Sequence, residues 1–538
     1  MEWQATIGME VHAELRTKTK MFCSCKNDPD EKHPNINICP VCMGHPGTLP
    51  VANEEAVHQV QRVGLAIGAE LQKSSFFDRK NYFYPDIPKG YQISQYKNPL
   101  VLGGFLKDIK ITRVHLEEDT ARSQHVGGSD VKSERPASLV DFNRAGVPLM
   151  ELVTEPDITS AKQAKDFVEE LQLTLQYLGA SEANMEKGEM RCEANISVYR
   201  NDAASPKAEV FQDFSQRDGA RLSNSSAGEY AGLEKSAAEV KESASSNRLS
   251  GTKVEVKNLN SFRTVEKAIE FEIKRQIELL EKGEKVKQET RGWDENKQVT
   301  FSQRSKESAH DYRYFQEPDL PPMEFNEAYF EELNKTIPEL PAQKRARLID
   351  EYKLEPVAVD ILIRDKALSA FWEKMGSELR EWLSGKTPGV ESPKTPGVEE
   401  ECYKLAANYF TSDLLGLIKA KQIPASELLV EPENFAELIK MIYKQEITTR
   451  VAKDVLRHMV ESGGDPSTIV EEKGLKQVSD TTALEEIAKK IISTNPNAIA
   501  DYKKGKQQSL QFLVGQMMKE TKGAVNPETI REILTKFL

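Results

Sequence analysis

The chain lacks the features of a membrane-spanning or secreted protein and has no surplus of basic charge. Its 538 residues contain no stretch of about 18 consecutive apolar residues that could cross a bilayer. The start, MEWQATIGMEVHAEL, has no basic segment followed by an apolar one, so we expect no secretory signal and a cytoplasmic location. A formal net charge of −12 argues against a surface coated for nucleic acid.

Cysteine is scarce, yet four of the six cysteines lie close together in the pattern C-x-C-x13-C-x2-C. A reducing compartment disfavours disulfides, whereas two close pairs of thiolates can surround Zn²⁺ tetrahedrally. Four sulfur ligands leave no open coordination position, so the predicted zinc is structural; the alternative is a set of reduced thiols. We expect this metal to clamp the loop after the first strand and so keep Glu10 and His12 in register. The four predicted ligands are Cys23, Cys25, Cys39 and Cys42.

A phosphate-binding loop is also missing. The segment SGKTPGVESPKTPGVEE contains GKT, but Arg380 stands where the motif requires glycine. The repeated KTPGV indicates a Pro/Gly insertion at about 385–400. A second predicted insertion, at about 200–250, is rich in Ser and Ala and shows no sustained hydrophobic period.

The hydrophobic pattern predicts an α+β protein with three domains. Residues 1–295 contain strand-like stretches at 109–117 and 252–259, and helical periodicity that ends at Gly179 and Gly283. Because strands and helices do not alternate, we expect a mixed, largely antiparallel sheet rather than a doubly wound one. Residues 296–428 predict an all-helical middle domain, and 429–538 a small helical tail domain.

Acidic residues inside apolar, strand-like runs form one candidate site. Glu10 and His12 alternate in IGMEVHAEL and therefore leave a strand on the same face. Buried carboxylates are costly unless they are paired or bind a metal, and oxygen ligands with an imidazole suit Mg²⁺. Ordinary salt bridges are the alternative. The other members of the set are His115, Glu117, Glu118, Asp119, Asp141, Glu151 and Glu155.

The segment FFDRKNYFYPDIPKGYQISQY is dense in aromatic and cationic residues. Such side chains can stack on a base and hold phosphate, although an aromatic-rich strand and turn would have the same composition. The relevant residues are Arg79, Lys80, Tyr82, Tyr84, Lys89, Tyr91 and Gln92.

These stretches together resemble one family. IGMEVHAEL, DRKNYFYPDIPKGYQISQY, HLEEDTAR, LVDFNRAGVPLMELVTEPD, GEMRCEANISV, GTKVEVKNLNSFR, QETRGWDE and DYRYFQEPDLPP are similar to the B subunits of bacterial and organellar aspartyl/glutamyl-tRNA amidotransferases. The segment from VEEKGLKQVSD to AVNPE resembles the tRNA-binding tail domain of those subunits. The similar blocks are colinear and cover nearly the whole chain.

The resemblance implies an ATP-dependent carbon–nitrogen ligase with a catalytic cradle domain. Glutamate misacylated on tRNA(Gln), or aspartate on tRNA(Asn), is phosphorylated on its side-chain carboxylate, and ammonia then displaces the phosphate. The amidase (A) partner releases that ammonia from glutamine and passes it through a tunnel, and the small (C) partner completes the heterotrimer. Phosphoryl transfer needs positioning and charge neutralisation, which Mg²⁺ bound by carboxylates supplies.

By resemblance, Glu10, His12, Glu118 and Glu151 are the Mg²⁺ and ATP ligands, and Lys80, Tyr82 and Lys89 line the tunnel mouth and reaction site. Arg122 and Glu193 depart from the family's usual lysine and aspartate. The lysines of the tail, expected to contact tRNA, are Lys503, Lys504, Lys506, Lys519 and Lys522. A non-enzymatic tRNA-binding scaffold is the main alternative, and a zinc hydrolase is disfavoured by the closed four-cysteine shell.

Overall fold

The computed structural model describes residues 3–126, 137–200, 251–305, 313–385, 397–475, 481–503, 505–521 and 525–538. The chain forms two compact units, Met1–Leu340 and Pro341–Leu538. Most of the predicted insertion at 200–250, and residues 386–396 of the one at 385–400, lie outside the described residues. The division into three domains remains a prediction.

A mixed, mostly antiparallel sheet dominates the first unit. Its ten strands within the described residues include the path β15-β14-β13-β12-β1-β11-β8-β6-β2, with β7 paired to β8, and only β13 and β14 run parallel. The predicted α+β fold with a largely antiparallel sheet is confirmed. The strands of this sheet are β1 Trp3–Glu14, β2 Glu70–Leu71, β6 Val101–Leu102, β7 Phe105–Leu106, β8 Ile109–Glu118, β11 Pro148–Thr154, β12 Met190–Arg200, β13 Val254–Leu259, β14 Glu289–Asp294 and β15 Val299–Ser305.

Three smaller sheets complete this unit. The order β16-β4-β5 forms one of them, and the pairs β10-β9 and β17-β3 form the others. Their strands are β3 Ser74–Ser75, β4 Asp78–Asn81, β5 Tyr91–Ser94, β9 Arg122–Val126, β10 Ala137–Asp141, β16 Arg313–Gln316 and β17 Met323–Glu324. Strands β15, β16 and β17 follow residue 295, so the first unit extends beyond the predicted first domain.

Helices cover one face of the large sheet. They are α1 Glu54–Ala66, α2 Ala161–Leu178, α3 Phe262–Glu281 and α4 Glu327–Lys335. Ser160 and Ser261 cap α2 and α3 by accepting hydrogen bonds from backbone N–H groups of their first turns. Gly179 ends α2 with φ 70°, as its sequence position predicts. The core lies between these helices and the sheet.

The described part of the second unit is helical, as predicted for the region after the sheet domain. Its helices are α5 Pro341–Tyr352, α6 Pro356–Ile363, α7 Lys366–Leu383, α8 Val398–Asn408, α9 Leu415–Lys421, α10 Pro432–Tyr443, α11 Thr449–Ser462, α12 Pro466–Glu472, α13 Thr481–Thr494, α14 Pro496–Lys503, α15 Gln507–Glu520 and α16 Pro527–Phe537. A π-helix, Tyr409–Leu414, and a 3-10 turn, Ala425–Glu427, connect some of them. Helices α13, α15 and α16 share an apolar core.

Candidate active site

Strand β1 presents alternate residues to two different environments. Ile7, Met9 and Val11 are buried in the core beneath the helices. Glu10 and His12 leave the strand on the opposite face, as the alternation in the sequence predicts. Two polar residues therefore stand side by side on the face of the sheet that the core does not use.

The register of the sheet extends this pair into a row. His12 lies opposite Arg191 on β12 and opposite Glu151 on β11, and Glu151 in turn lies opposite His115 on β8. Side chains opposite one another on neighbouring antiparallel strands have their Cβ atoms about 4.5–5.5 Å apart. Four strands thus bring a charged or titratable side chain to one line across the sheet.

We call Glu10, His12, His115, Glu117 and Glu151 the carboxylate–imidazole cluster. The Nε2 atom of His12 is 3.4 Å from a Glu151 oxygen, 3.5 Å from Glu117 and 3.8 Å from Glu10. The Nε2 atom of His115 is 3.3 Å from the same Glu151 oxygen. Glu151 is therefore shared by two groups of possible metal ligands, each with its ligand atoms within 4.8 Å of one another.

Burial and mutual repulsion perturb the acidity of the cluster. Burial and the negative charge of Glu151 raise the pKa of Glu10 to about 7, and the same causes raise the pKa of Glu117. Burial lowers the pKa of His12, but its hydrogen bond to Glu151 and the negative charges of Glu151, Glu117 and Glu10 together outweigh that effect, and the pKa reaches about 9. Burial raises the pKa of Glu151, yet His115 and His12 hold it well below its usual value. The negative charges of Glu10, Glu117 and Glu151 therefore favour the binding of a cation between them.

The donor set fits a divalent cation. Oε2 of Glu117 and Nδ1 of His115 are buried, and among the described residues neither has a hydrogen-bond partner. An unsatisfied buried carboxylate oxygen is costly unless a ligand such as a metal ion or water satisfies it. Oxygen-rich shells completed by imidazole are compatible with Mg²⁺ or Mn²⁺.

Lys80 approaches this cluster from strand β4. Burial lowers its pKa, but the nearby Tyr314, Glu117 and Glu151 raise it above its usual value, so the ammonium remains charged. Tyr82 also contributes to that electrostatic environment. Lys80, which the resemblance assigned to the reaction site, thus lies beside the acidic set, and Tyr82 lies close to Lys80.

Glu118 and Lys89 form a separate pair. Glu118 leaves β8 on the opposite side from its neighbour Glu117, and its carboxylate lies 2.5 Å from Nζ of Lys89. The carboxylate also accepts a hydrogen bond from the backbone N–H of Ile93, at 2.9 Å. The structure therefore places Glu118 outside the carboxylate–imidazole cluster, to which the resemblance assigned it, and places Glu117 inside it.

A cavity of about 220 Å³ adjoins the Lys89–Glu118 pair. Its walls include Phe22, Tyr91 and two of the clustered cysteines. Nζ of Lys89 lies 5.8 Å from the ring centres of both aromatic residues. The pair thus borders a partly open cavity on the side of the four cysteines.

The four cysteines converge as the spacing predicts. Their sulfur atoms lie within 4.8 Å of one another, which is consistent with a zinc site. The backbone N–H of Cys39 points at the sulfur of Cys42, at 3.2 Å. A hydrogen bond from Cys23, together with the nearby Lys20 ammonium, lowers the pKa of Cys42 to about 5, whereas burial first of all raises that of Cys25 to about 11. At least one ligand is thereby favoured as a thiolate.

Other residues named from the sequence have structural partners. Asp119 binds Arg191 at 2.6 Å, and Glu155 accepts a hydrogen bond from Thr112 at 2.8 Å. Asp141 accepts a hydrogen bond from the backbone N–H of Asn35, and Gln92 donates one to the backbone carbonyl of Glu118. Glu193 forms an ion pair with Lys257, and Arg122 lies 3.9 Å from Asp30. Arg79 forms a bidentate ion pair with the fully buried Glu317 and lies over the ring of Tyr91. Tyr84 is exposed.

The sequence alone did not single out two members of the carboxylate–imidazole cluster, or one residue that lies opposite it on a neighbouring strand. Glu117 and His115 belong to the acidic set, but only the strand period, which puts 115 and 117 on one face and 118 on the other, separates them from Glu118. No pattern in the segment around Arg191 indicates that this residue lies near His12. Its place opposite His12 follows from the pairing of β12 with β1, which no local pattern shows.

The three tail lysines within the described residues lie in or next to two helices. Lys503 ends α14, Lys519 lies in the last turn of α15, and Lys506 precedes that helix with its Nζ atom 3.1 Å from Asp501. Lys504 and Lys522 lie outside the described residues. Within the described part of the chain, no helix combines the length and apolar character needed to cross a membrane.

Known protein families match both the N-terminal and the C-terminal part of the chain. The family model for the GatB/GatE catalytic domain matches residues 5–212 and 236–331, and the GatB domain model matches residues 397–538. The first match contains the carboxylate–imidazole cluster, the Lys89–Glu118 pair and the four cysteines. The second contains the tail lysines.

Full-length relatives agree with these matches. The B subunit of the aspartyl/glutamyl-tRNA(Asn/Gln) amidotransferase of Carboxydothermus hydrogenoformans is 41% identical, over 99% of this chain and 98% of its own length. The corresponding protein of Thermotoga petrophila is 41% identical over 100% and 99%, and that of Crocosphaera subtropica 38% over 100% and 98%. The similarity thus spans both compact units.

Proposed function

This chain belongs to the GatB family of aspartyl/glutamyl-tRNA(Asn/Gln) amidotransferase B subunits, and on that premise we propose how its residues divide the reaction between them. The family's activity is that of a ligase that transamidates misacylated tRNA. The observation that carries the proposal is the carboxylate–imidazole cluster, because it offers a divalent-cation site within a domain that contains no phosphate-binding loop among its described residues.

In this proposal Glu10, His12, Glu117 and Glu151 hold Mg²⁺ together with ATP. The bound Mg²⁺ would neutralise charge on the phosphates as the phosphoryl group moves to the substrate carboxylate. A metal-binding imidazole must be neutral, so His12 gives up its proton when the cation enters. A doubly charged cation would thus replace the single positive charge of the imidazolium among the three carboxylates.

Lys80 supplies a fixed positive charge beside this cluster. Its ammonium, held in the protonated form by Tyr314, Glu117 and Glu151, can stabilise negative charge that develops on the transferring phosphoryl group or on the amide-forming centre. The γ-glutamyl or β-aspartyl phosphate then reacts with ammonia, whose nitrogen forms the new bond to carbon as phosphate leaves. Tyr82, close to Lys80, contributes to the same environment.

The Lys89–Glu118 pair belongs, in this proposal, to the mouth of the ammonia tunnel. Its position beside a cavity and on the face away from the carboxylate–imidazole cluster supports a role in delivery of ammonia rather than in metal binding. The ammonia would come from glutamine through the amidase (A) partner, with the small (C) partner completing a cytoplasmic heterotrimer.

We also propose a structural Zn²⁺ for Cys23, Cys25, Cys39 and Cys42. Their convergence supports a closed tetrahedral shell. The helical tail would contact tRNA, with the lysines at 503, 504, 506, 519 and 522 offered to its backbone. Because Lys506 already pairs with Asp501, its contribution should be the smaller one.

The test is ATP-dependent conversion of Glu-tRNA(Gln) or Asp-tRNA(Asn) to the amide by the three reconstituted subunits. Glu151→Gln should lower kcat by about 100-fold or more, because it removes a charged ligand. Glu155→Gln is the matched control, since Glu155 lies beside the same strand but bonds Thr112. Full activity of Glu151→Gln would contradict the metal assignment. No amide formation by the wild-type assembly, with tRNA binding retained, would favour the scaffold alternative.

A further inference from the structure

Gly44, two residues after the last clustered cysteine, lies directly against the backbone of Lys89. A Cβ atom on Gly44 would stand 2.5 Å from Cγ of Lys89, 2.9 Å from its Cα and 3.1 Å from its N. Real Cβ atoms essentially never come within 3.0 Å of another heavy atom, so any side chain at Gly44 must push the lysine backbone away. Only glycine permits this approach.

The partner of Lys89 also contacts the region of the four cysteines. A Cβ atom added to Gly146 would lie 3.5 Å from Cβ of Cys42, 3.6 Å from Cδ of Lys20 and 4.0 Å from Oε2 of Glu118. Lys20 is completely buried there and donates to the carbonyl of Phe142 at 3.1 Å. Thus Cys42 and Glu118 face one another across a single glycine.

The loop that holds the cysteines is itself fixed to that same turn. Asn143 is fully buried, and its side-chain oxygen accepts hydrogen bonds from the backbone N–H groups of Ile36 and Asn37, both at 2.9 Å. Its side-chain nitrogen donates to the carbonyl of His33 at 2.8 Å. The backbone N–H of Met21 donates to Gly146 O at 2.7 Å. The loop is therefore braced against residues 142–146, which border Glu118.

We propose that the four-cysteine loop, residues 23–42, sets the position of Lys89 opposite Glu118, with Gly44 as the positioning residue. The loop thus supports the pair beside the cavity, and not chiefly the register of Glu10 and His12 as the sequence suggests. The consequence for ammonia delivery rests on the proposed function; the structural support of Lys89 does not.

The chain offers a matched pair of variants in Gly44→Ala and Gly47→Ala. Both glycines have positive φ, 66° and 87°, so alanine is strained at either position. A Cβ atom on Gly47, however, meets nothing within 4 Å. The difference between the two variants therefore isolates the contact with Lys89 from the backbone strain.

Hydrogen exchange, measured on the reconstituted three-subunit assembly at matched zinc content, gives a readout that does not depend on activity. Gly44→Ala should accelerate exchange in peptides covering 88–94, whereas Gly47→Ala should leave them close to wild type. The rate of glutamine-driven amide formation should fall by about 10- to 100-fold in Gly44→Ala, since small misplacements cost that much, with KM for ATP unchanged. Equal exchange and equal kcat in the two variants would overturn the proposal.

Removal of zinc from the wild-type assembly by a chelator provides a second, independent measurement. Exchange at 88–94 should rise before exchange at 9–13, which covers Glu10 and His12. The reverse order would overturn the proposal and restore the first strand as the segment that the metal supports. If the wild-type assembly forms no amide while the exchange results hold, the proposed function fails and the support of Lys89 stands.

Discussion

Glu151 is the residue whose replacement should affect the candidate metal site most. It is the only member that both ligand groups share among the described residues, and it contacts His12 at 3.4 Å and His115 at 3.3 Å. Glu151→Gln preserves size and one carbonyl oxygen but removes the negative charge. The expected result is weaker binding of Mn²⁺ or Mg²⁺ by a folded protein.

The magnitude follows from the spacing of the ligands. A cation held among atoms that lie within 4.8 Å of one another is close to every ligand. A divalent cation and one carboxylate about 4 Å apart attract by about 8 kcal/mol at an effective dielectric constant of about 20. The amide oxygen of the glutamine and a water ligand can retain much of this attraction, and loss of Glu151 also lowers the pKa of His12, so that a proton competes less with the cation. We expect a net loss of about 2–3 kcal/mol, or ~30- to 150-fold in Kd.

Titration of the purified chain with Mn²⁺, followed by electron paramagnetic resonance of the free ion, measures this directly without tRNA or partners. Glu118→Gln is the decisive comparison, because Glu118 pairs with Lys89 on the other face of the strand. Its Mn²⁺ affinity should stay within about threefold of wild type, as expected for a site that does not contact the metal. A loss of affinity in Glu118→Gln as large as that in Glu151→Gln would refute the exchange of Glu118 for Glu117 and restore the ligand set implied by the resemblance, and no loss in Glu151→Gln would refute the metal site itself.

Three further substitutions test the rest of the structure. Replacing Cys39 and Cys42 by serine should abolish zinc binding and lower Tm, measured by metal analysis and calorimetry. Gly376→Ala should destabilise the second unit by about 1–2 kcal/mol through overpacking, because its Cβ would lie 2.5 Å from a buried tyrosine ring, whereas Gly416→Ala, with open space around it, should stabilise by about 0.5–1 kcal/mol. Glu317→Gln should cost about 3 kcal/mol in denaturant unfolding, since it leaves a guanidinium without its buried partner.

Each of these has an outcome that would contradict it. Full zinc content in the double serine variant would mean that the metal has other ligands. Destabilisation by Gly416→Ala as large as by Gly376→Ala would remove the contact with Tyr352 as the cause. For Glu317, the control is Glu324→Gln, an exposed carboxylate that bonds Ser74, and equal losses in the two variants would show that burial of the ion pair has no effect on stability.

Local patterns predicted much of the fold. The capped, periodic segments gave helices that end at Gly179 and close to Gly283, and the mixed strand-rich half gave the antiparallel sheet. Alternation also predicted that Glu10 and His12 share a face. These features depend only on residues near one another in the sequence, where steric preference and hydrophobic period act.

The assembly of the site could not be read in the same way. That Glu151 lies opposite both His12 and His115 depends on the register of three strands, which is set by burial of whole faces. The resemblance implied Glu118 as a metal ligand, whereas the alternation along the strand places Glu117 on the face of His115 and Glu151. The support of Lys89 by Gly44 is likewise a tertiary contact, invisible to any window of sequence.

The central position of β1 has a consequence for biosynthesis. Its hydrogen-bonding neighbours on the two sides are β11 and β12, and Arg191, which pairs with His12, is synthesised 179 residues after it. At about 5–20 residues per second, translation takes roughly 10–40 s to cover that interval. During it, the apolar residues Ile7, Met9 and Val11 have no completed sheet to enter. We therefore expect the first strand to complete its pairing on both sides only after residue 200 has left the ribosome.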